Sequence, residues 1–258
     1  MKLSTKNIKL SFVTVPIGNL DDITLRALNC LREAQVLLCE EPRKTRQWLL
    51  HWGINFYQGQ FDCKRKELYL FRFDKNSDRK ELSYIKEDVA PFANHFAFIS
   101  GAGCPMFHDP GDLLLPLFKG AKKEFIPGVS SLGTLLMYLP HGLQREGFDV
   151  YGFLPRKKSE REKIWTKLSS MSKPVFLMET AYRLPILCDE LERFAPHHFI
   201  VFGYALTKSN ERVISGDLQE VLPEIKRLPK EDFVIFLSSQ SLVSGTNTKT
   251  AFSRRRRR

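Results

Sequence analysis

The sequence predicts an α/β fold with a mostly parallel sheet in its first half. Short runs rich in β-branched and aromatic residues, each bounded by Gly or Pro, alternate with longer stretches in which apolar residues recur at helical spacing. The length of 258 residues exceeds one typical domain of ~150 residues and allows one large domain or two compact ones. A content of 43% hydrophobic and 27% charged residues is typical of globular proteins and excludes a mainly disordered chain.

The first half opens with a strand, a turn and a helix. Residues 9–15 are predicted to form a strand that ends at Pro16, and Asp21 or Asp22 is expected to cap the following helix. Further strands are predicted at residues 36–39, 68–71 and 96–100 and near residue 125. Helices are predicted from about Pro42 and Ser77, through Leu117, and over residues 130–139.

A second series of strands and helices follows a candidate linker at residues 140–147, which combines Pro, two Gly and mixed charges. Strands are predicted at residues 148–153, 175–178, 199–202 and 233–237, and Leu184, Leu187 and Leu191 share a helical face. We therefore expect a first domain over residues 1–145, a second over 146–240 and a basic tail over 241–258.

The chain carries excess positive charge. Forty Lys and Arg against 29 Asp and Glu give a net charge of +11, and the last five residues, Arg254 to Arg258, are all arginine. This distribution favours a polyanionic partner such as nucleic acid or an anionic membrane surface. A tail that is simply solvated is the alternative.

Several function classes lack the residues they require. The five cysteines are widely spaced without a Cys-x-x-Cys pair, and the six histidines are scattered, so we expect a reducing, cytoplasmic location and no metal site. No apolar stretch has the length of a signal peptide or a spanning helix, so no membrane insertion is expected. Gly101 and Gly103 form a Gly-x-Gly, but Met106 stands where the dinucleotide fingerprint has its third glycine.

Three loops directly follow predicted strands: residues 16–19, residues 100–109, and Ser130 with Ser131. Ligands of parallel α/β sheets bind at the carboxyl ends of the strands, where glycine allows close approach to the backbone. These loops predict a ligand site and leave the ligand open. Ordinary turns are the alternative.

Six segments, in order, carry a family resemblance. They are VPIGNLDDITLRAL from Val15, EEPRKTRQWL from Glu40, SGAGCPMFHDPG from Ser100, GFLPRKKSER from Gly152, METAYRL from Met178 and ALTKSNERVISGDLQEV from Ala205. Together they resemble the ribosomal RNA small subunit methyltransferase I family, within the tetrapyrrole methylases, over roughly residues 9 to 238.

The resemblance implies an N-terminal, mostly parallel sheet domain and a C-terminal, mixed-sheet domain, with S-adenosylmethionine in the cleft between them. It also implies a homodimer and methyl transfer to a ribose 2′-hydroxyl of a cytidine in 16S rRNA, free or within the small ribosomal subunit. The implied cofactor-binding residues are Pro16, Ile17, Gly18, Ser100, Gly101, Ala102, Gly103, Cys104, Ser130, Ser131, Met178, Glu179, Ala205 and Leu206.

The sequence departs from the family pattern at these sites. Where the family has Ser-Asp-Ala-Gly-Thr-Pro, residues 100–105 have Gly101 in place of Asp and Cys104 in place of Thr. Where it has Glu-Asp-Thr-Arg, residues 40–43 read Glu-Glu-Pro-Arg, and Ala205 stands where it has Glu. If the lost loop acid contacts the cofactor through its side chain, Gly101→Asp should tighten binding at least fivefold. If the loop backbone carries the contact, Gly101 serves equally well.

Methyl transfer to a hydroxyl needs a base, and carboxylates in the strand-end loops are candidates. The catalytic candidates are Glu41, Asp109 and Glu179, although Asp109 before Pro110 is also placed to cap the next helix. Basic residues expected to contact RNA phosphates are Arg43, Arg156, Lys157, Lys158, Arg161 and Arg183. Two alternatives stay open: a methyltransferase of a small, tetrapyrrole-like heterocycle, and a non-catalytic RNA- or ribosome-binding relative.

Overall fold

A computed structural model describes residues 8–239 except 63, 65, 66, 78, 108, 141, 144–146 and 172. The predicted basic tail with Arg254 to Arg258, Cys63 and the residues around the predicted boundary at 145 lie outside the described residues. The chain divides into two compact units, Met1–Ser130 and Ser131–Arg258. The domain limits predicted from the sequence stay a prediction.

The described part of the first unit has a sheet of six strands, all parallel. The strands are β1 (Lys9–Val13), β2 (Val36–Cys39), β3 (Phe56–Tyr57), β4 (Leu68–Arg72), β5 (His95–Ile99) and β6 (Lys122–Ile126). Their order across the sheet is β3-β4-β2-β5-β1-β6. The parallel N-terminal sheet predicted from the sequence is confirmed.

Helices of the first unit cover both faces of this sheet. They are α1 (Leu25–Glu33), α2 (Pro42–His51), α3 (Arg79–Tyr84) and α4 (Leu114–Leu117), with a π-helix at Ile85–Val89 and 3-10 turns at Leu20–Asp22 and Pro110–Leu113. Successive β2 residues alternate between two cores: Leu37 packs with residues of α1 and α2, and Leu38 packs with Leu114. All four β2 residues are buried because both faces are covered.

The first helix begins later than the sequence predicted. Asn19, not Asp21 or Asp22, caps the short 3-10 turn by accepting a hydrogen bond from the Asp21 amide. Thr24 then caps α1, since its hydroxyl oxygen accepts from the Ala27 amide at 3.1 Å. The two aspartates are therefore part of the turn and not of the cap of α1.

The second unit has a mixed sheet, which agrees with the fold implied by the resemblance. Its elements are α5 (Ser131–Leu136), β7 (Asp149–Phe153), α6 (Lys158–Ser169), β8 (Val175–Glu179), α7 (Leu184–Phe194), β9 (His198–Tyr204), β10 (Arg212–Asp217), α8 (Leu218–Ile225) and β11 (Phe233–Ser239). The order across the sheet is β10-β9-β11-β8-β7, in which only β7 and β8 are parallel among the described neighbours. Helices α6, α7 and α8 share one core with the sheet.

The sequence missed β3 and β10. Strand β3 has only two residues, and β10 reads RVISGD, whose Ser and Gly interrupt the apolar pattern. No helix in the described part of the chain is long and apolar enough to span a membrane.

Candidate functional site

The loops that follow β1, β2, β5 and β6 meet at one edge of the first sheet, because parallel strands place their carboxyl ends together. These loops contain the predicted site residues of the first unit. Pro16 and Ser100 are buried, Ile17, Gly18 and Gly101 are half-buried, and Ala102, Cys104 and Ser130 are exposed. The structure therefore brings the three predicted strand-end loops to the same edge.

Backbone contacts hold these loops together. Val15 and Gly103 exchange two amide-to-carbonyl hydrogen bonds, each 3.1 Å long, as an isolated antiparallel pair. Gly103 has a φ of +68°, a conformation that L side chains rarely adopt. A Cβ on Gly128 would lie 3.0 Å from Thr14 Cγ2, so the loop after β6 also approaches closely. The main chain of these loops is thus closely packed at this edge.

Residues around the start of α2 fix the backbone of Gly101. The Glu40 carboxylate accepts a hydrogen bond from the Gly101 amide at 2.9 Å, and Lys44 Nζ donates to the Gly101 carbonyl at 2.6 Å. Ser100 is buried, and its hydroxyl donates to the Ala102 carbonyl at 3.0 Å. The loop is thus tied to β2 and α2 as well as to β1.

Asp109 and Glu40 form an interacting pair of carboxyl groups at this edge. Burial and the nearby charge of Glu40 raise the pKa of Asp109 to about 7, although a hydrogen bond with Ser100 opposes the shift. Burial also raises the pKa of Glu40, against the hydrogen bond from the Gly101 amide. Asp109 occupies the N-cap position of the 3-10 turn Pro110–Leu113, but its side chain makes no capping hydrogen bond there. Its carboxyl group suits proton transfer near neutral pH.

The predicted site residues of the second unit lie along one edge of its sheet. Met178 and Glu179 end β8, and Ala205 directly follows β9. Strand β11 runs antiparallel to both, and its first residue, Phe233, is in register with Glu179 and with Tyr204. Only β11 thus separates the two predicted segments. That these two segments bind the cofactor, together with the loops of the first unit, stays a prediction.

The turn after β9 has an unusual backbone. Ala205 has a φ of +49° and Thr207 a φ of +66°, although neither is glycine. Hydrogen bonds hold the turn, because the Ala205 amide donates to the Asp232 carbonyl at 2.9 Å and the Thr207 amide donates to Glu211 at 2.6 Å. Strain held in this way is common at functional turns. The role of Ala205 and Leu206 in cofactor binding stays a prediction.

Glu179 does not fit the predicted role of base. Its side chain is only 1% exposed, and Arg161 Nη1 donates to one carboxylate oxygen at 2.6 Å. The other oxygen accepts from the Thr180 amide at 2.7 Å and faces Arg183 Nε at 3.2 Å. Because both oxygens already have donors, Glu179 is a structural anion.

Arg161 does not fit the predicted contact with RNA. It is 3% exposed, and Glu190 accepts hydrogen bonds from its Nε at 2.7 Å and its Nη2 at 2.5 Å. Arg183, also predicted to contact RNA, is about one-fifth exposed and donates to the Leu154 and Pro155 carbonyls at 3.3 Å. The sequence contains a signal for the burial of Arg161, since this residue shares a helical face with the buried Trp165 and Leu168.

The other residues predicted to contact RNA are exposed. Arg156, Lys157 and Lys158 lie at the start of α6, which is 12 residues long, and Lys157 pairs with Glu160 at 3.5 Å. Arg43 is exposed in the first turn of α2. The sequence did not single out Lys44, whose contact with Gly101 joins residues 57 positions apart.

Comparisons with known proteins agree with this architecture. The family described as Tetrapyrrole (Corrin/Porphyrin) Methylases matches residues 9–222. A protein of Hydrogenobaculum sp. named ribosomal RNA small subunit methyltransferase I is 30% identical over 91% of this chain and 97% of its own length. A protein of Mycoplasmopsis pulmonis with the same name is 31% identical over 90% of this chain and 99% of its own.

The fold is also similar to that of solved structures. Uroporphyrin-III C-methyltransferase from Thermus thermophilus, solved in complex with S-adenosyl homocysteine, superposes with a TM-score of 0.58 at 18% identity. The superposition covers 92% of this chain and 99% of that one. At this identity the likeness concerns the fold alone. By its family match and its relatives, the chain belongs to the tetrapyrrole methylases and, within them, to the ribosomal RNA small subunit methyltransferase I family.

Proposed function

We propose that this protein uses S-adenosylmethionine to methylate the ribose 2′-hydroxyl of a cytidine in small-subunit rRNA. The names of its relatives and the S-adenosyl homocysteine in the Thermus enzyme support the substrate class and the cofactor. The structural observation that carries the proposal is the Glu40–Asp109 carboxyl pair, next to glycine-containing loops at the parallel sheet edge. Homodimer formation and a cytoplasmic location are part of the same proposal.

The residues of this edge fit a cationic cofactor. S-adenosylmethionine carries a sulfonium and an ammonium group. As anions Glu40 and Asp109 repel each other, and the charge of Glu40 contributes to the raised pKa of Asp109. The charge of the neighbouring Glu41 contributes to the raised pKa of Glu40. A cation close to both carboxyl groups would offset the repulsion, so binding the cofactor would favour their charged forms.

The protein itself supplies the general base and the loop that orients the reactants. S-adenosylmethionine, when bound, supplies a methyl group on an electrophilic sulfur. Asp109 accepts the proton of the ribose hydroxyl, because burial makes its carboxyl group more basic than an ordinary aspartate, with a pKa of about 7 before the cofactor binds, and the cofactor's cation then favours its ionised form. The fixed backbone of residues 100–104 positions the reactants, which accounts for much of the rate in a displacement reaction.

The exposed basic residues of the second unit provide a surface for RNA. Arg156, Lys157 and Lys158 stand at the amino terminus of α6, where helix polarity also favours phosphate. Binding through phosphate contacts does not depend on base identity, so it accounts for affinity and not for the choice of cytidine.

Product analysis tests the proposal. The protein is incubated with methyl-labelled S-adenosylmethionine and either naked 16S rRNA or small ribosomal subunits, and the RNA is digested to nucleosides. We expect labelled 2′-O-methylcytidine, and loss of at least 100-fold in rate for Asp109→Asn, within the contribution typical of a general base. Label on a base, or only on molecules of a tetrapyrrole extract, contradicts the proposal. Binding of RNA without any transfer favours the non-catalytic alternative.

A further inference from the structure

Gly101 leaves a space that a neighbouring side chain fills. A Cβ at position 101 would lie 2.6 Å from Glu41 Oε1, nearer than atoms of this kind approach in proteins. The Glu41 carboxylate therefore lies directly against the Cα of Gly101. Glu40 and Lys44 hold the amide and carbonyl of the same residue, so α2 and the end of β2 surround Gly101 on three sides.

The backbone of Gly101 does not itself require glycine, because its φ lies outside the left-handed region. Gly103, two residues later, does have such a requirement, with its φ of +68°. What glycine provides at position 101 is room for the carboxylate of Glu41. This explains two departures from the family pattern together: the loop loses its acid, and the second acid before α2 is lengthened from Asp to Glu.

The Glu41 carboxylate is accessible to a ligand. Its side chain is 59% exposed. Lys44 is the cation with which it pairs, but at 3.8 Å, whereas the same Nζ donates to the Gly101 carbonyl at 2.6 Å. Since Glu40 and Asp109 add negative charge at this edge, the site is suited to a cation.

We propose that Glu41 supplies the acidic group that binds the cationic part of S-adenosylmethionine, and that Gly101 is small because it admits this side chain to the loop. The inference rests on the proposed function for the identity of the ligand. It reverses the expectation for Gly101→Asp, because an aspartate there would displace the Glu41 carboxylate and stand beside Glu40, whose Oε2 lies 3.6 Å from the Cβ position.

Calorimetric titration with S-adenosylmethionine tests the inference on four variants. Glu41→Gln removes the charge and keeps the shape, so we expect roughly tenfold weaker binding, as for loss of one hydrogen bond to a charged group. Gly101→Ala should fold normally, since only the flexible end of Glu41 must move, and should also weaken binding. Gly101→Asp should weaken binding, and the double variant Glu41→Ala/Gly101→Asp should bind more tightly than Gly101→Asp alone.

Glu220→Gln, at an exposed glutamate of α8 in the other unit, is the matched control and should bind like the parent. Thermal melting without ligand shows whether each variant is folded. Parent-like affinity of Glu41→Gln, or tighter binding by Gly101→Asp, overturns the inference while leaving the proposed function intact. Failure of the parent itself to bind S-adenosylmethionine at millimolar concentration overturns both.

Discussion

Three charged side chains of the second unit, Arg161, Glu179 and Glu190, form an ion-pair network, and Arg161 and Glu179 are almost fully buried in it. Trp165 Nε1 also donates to Glu190 at 2.9 Å. A buried charge that loses its partner keeps the cost of its desolvation without the compensating attraction. The network therefore matters for folding even though its net contribution, compared with apolar residues, is small.

Arg161→Met should lower the free energy of unfolding by about 3 kcal/mol or more, because it leaves Glu179 and Glu190 without their shared guanidinium. Denaturant unfolding measures the change. Lys163→Met, at an exposed position of the same helix, is the control and should change stability by less than about 0.5 kcal/mol. A stable Arg161→Met protein that has lost only its affinity for rRNA would contradict the structural role.

Asp109→Asn should change how stability depends on pH. In the folded protein the pKa of Asp109 is raised from its ordinary value of 3.8 to about 7, so the folded state binds the proton more tightly than the unfolded state. The stability this contributes is fully present below pH 3.8 and is lost as the pH rises through about 7.

Melting curves at pH 4.5 and pH 8 test this expectation. The asparagine variant, which cannot ionise, should gain stability over the parent as the pH rises between these values. An equal difference in melting temperature at both pH values would show that Asp109 does not carry the shift. Glu220→Gln, at an exposed carboxylate of α8, serves as the control.

For individual residues, the sequence predicted well which residue types lie in the strand-end loops, but it predicted poorly which side chains are buried. It placed Asp109 and Gly103 correctly in a strand-end loop, because glycine and a nearby acid follow an apolar run. It assigned Arg161 to the surface, because charge alone does not reveal that two carboxylates face it. The contact of Glu41 with Gly101 joins two loops and has no signature in either segment.

Among the elements, α6 combines an exposed basic start with buried residues that anchor the helix to the core. Arg156 and Lys157, which precede it, and its first residue, Lys158, are exposed and basic. Arg161 and Trp165 anchor the helix to the core. The anchor fixes the direction in which the basic start of the helix points. Phosphate contacts made from a fixed helix cost less side-chain and backbone ordering than contacts made from a mobile loop.

The triple variant Arg156→Ala/Lys157→Ala/Lys158→Ala should weaken rRNA binding and make it less sensitive to salt. Release of counterions predicts that the slope of log affinity against log salt concentration falls by about 2 for three lost contacts to single-stranded phosphates. Filter binding over a range of salt concentrations measures the slope. Lys122→Ala/Lys123→Ala, at exposed positions of β6, should leave the slope nearly unchanged if α6 is the contact surface.

Element by element, periodicity located the long apolar strands to within a few residues: β2 was predicted with its observed bounds, and β5 was predicted one residue late. Capping chemistry misplaced the start of α1, because Asn19, Asp21 and Thr24 are all suitable caps and only the turn geometry selects Thr24. Strand β10 was missed because its pairing with β9, and not its own composition, makes it a strand.

For the whole molecule, S-adenosylmethionine should raise the melting temperature. A ligand that binds only the folded state stabilises it by about 2.7 kcal/mol at a concentration 100 times the Kd. Differential scanning fluorimetry at increasing cofactor concentration should show a shift of several degrees that grows with the logarithm of concentration. A melting temperature that stays constant up to millimolar cofactor would argue for the non-catalytic alternative.

The fold class and the family were accessible from sequence, because ordered motifs and the alternation of strands and helices extend over most of the chain. The mixed order of the second sheet, β10-β9-β11-β8-β7, was not derivable from periodicity, since strand pairing depends on contacts between distant segments. The resemblance implied a mixed sheet but gave no strand order.

The paired backbone of Val15 and Gly103 has a consequence for how this protein can evolve. Two main-chain hydrogen bonds set the register between the loops after β1 and β5, and neither uses a side chain. Side chains in these loops can differ from the family pattern, as at Gly101 and Cys104, while these two hydrogen bonds stay in place. An inserted or deleted residue would shift that register and uncouple the loops. The site can therefore vary in chemistry while its loop lengths stay constant.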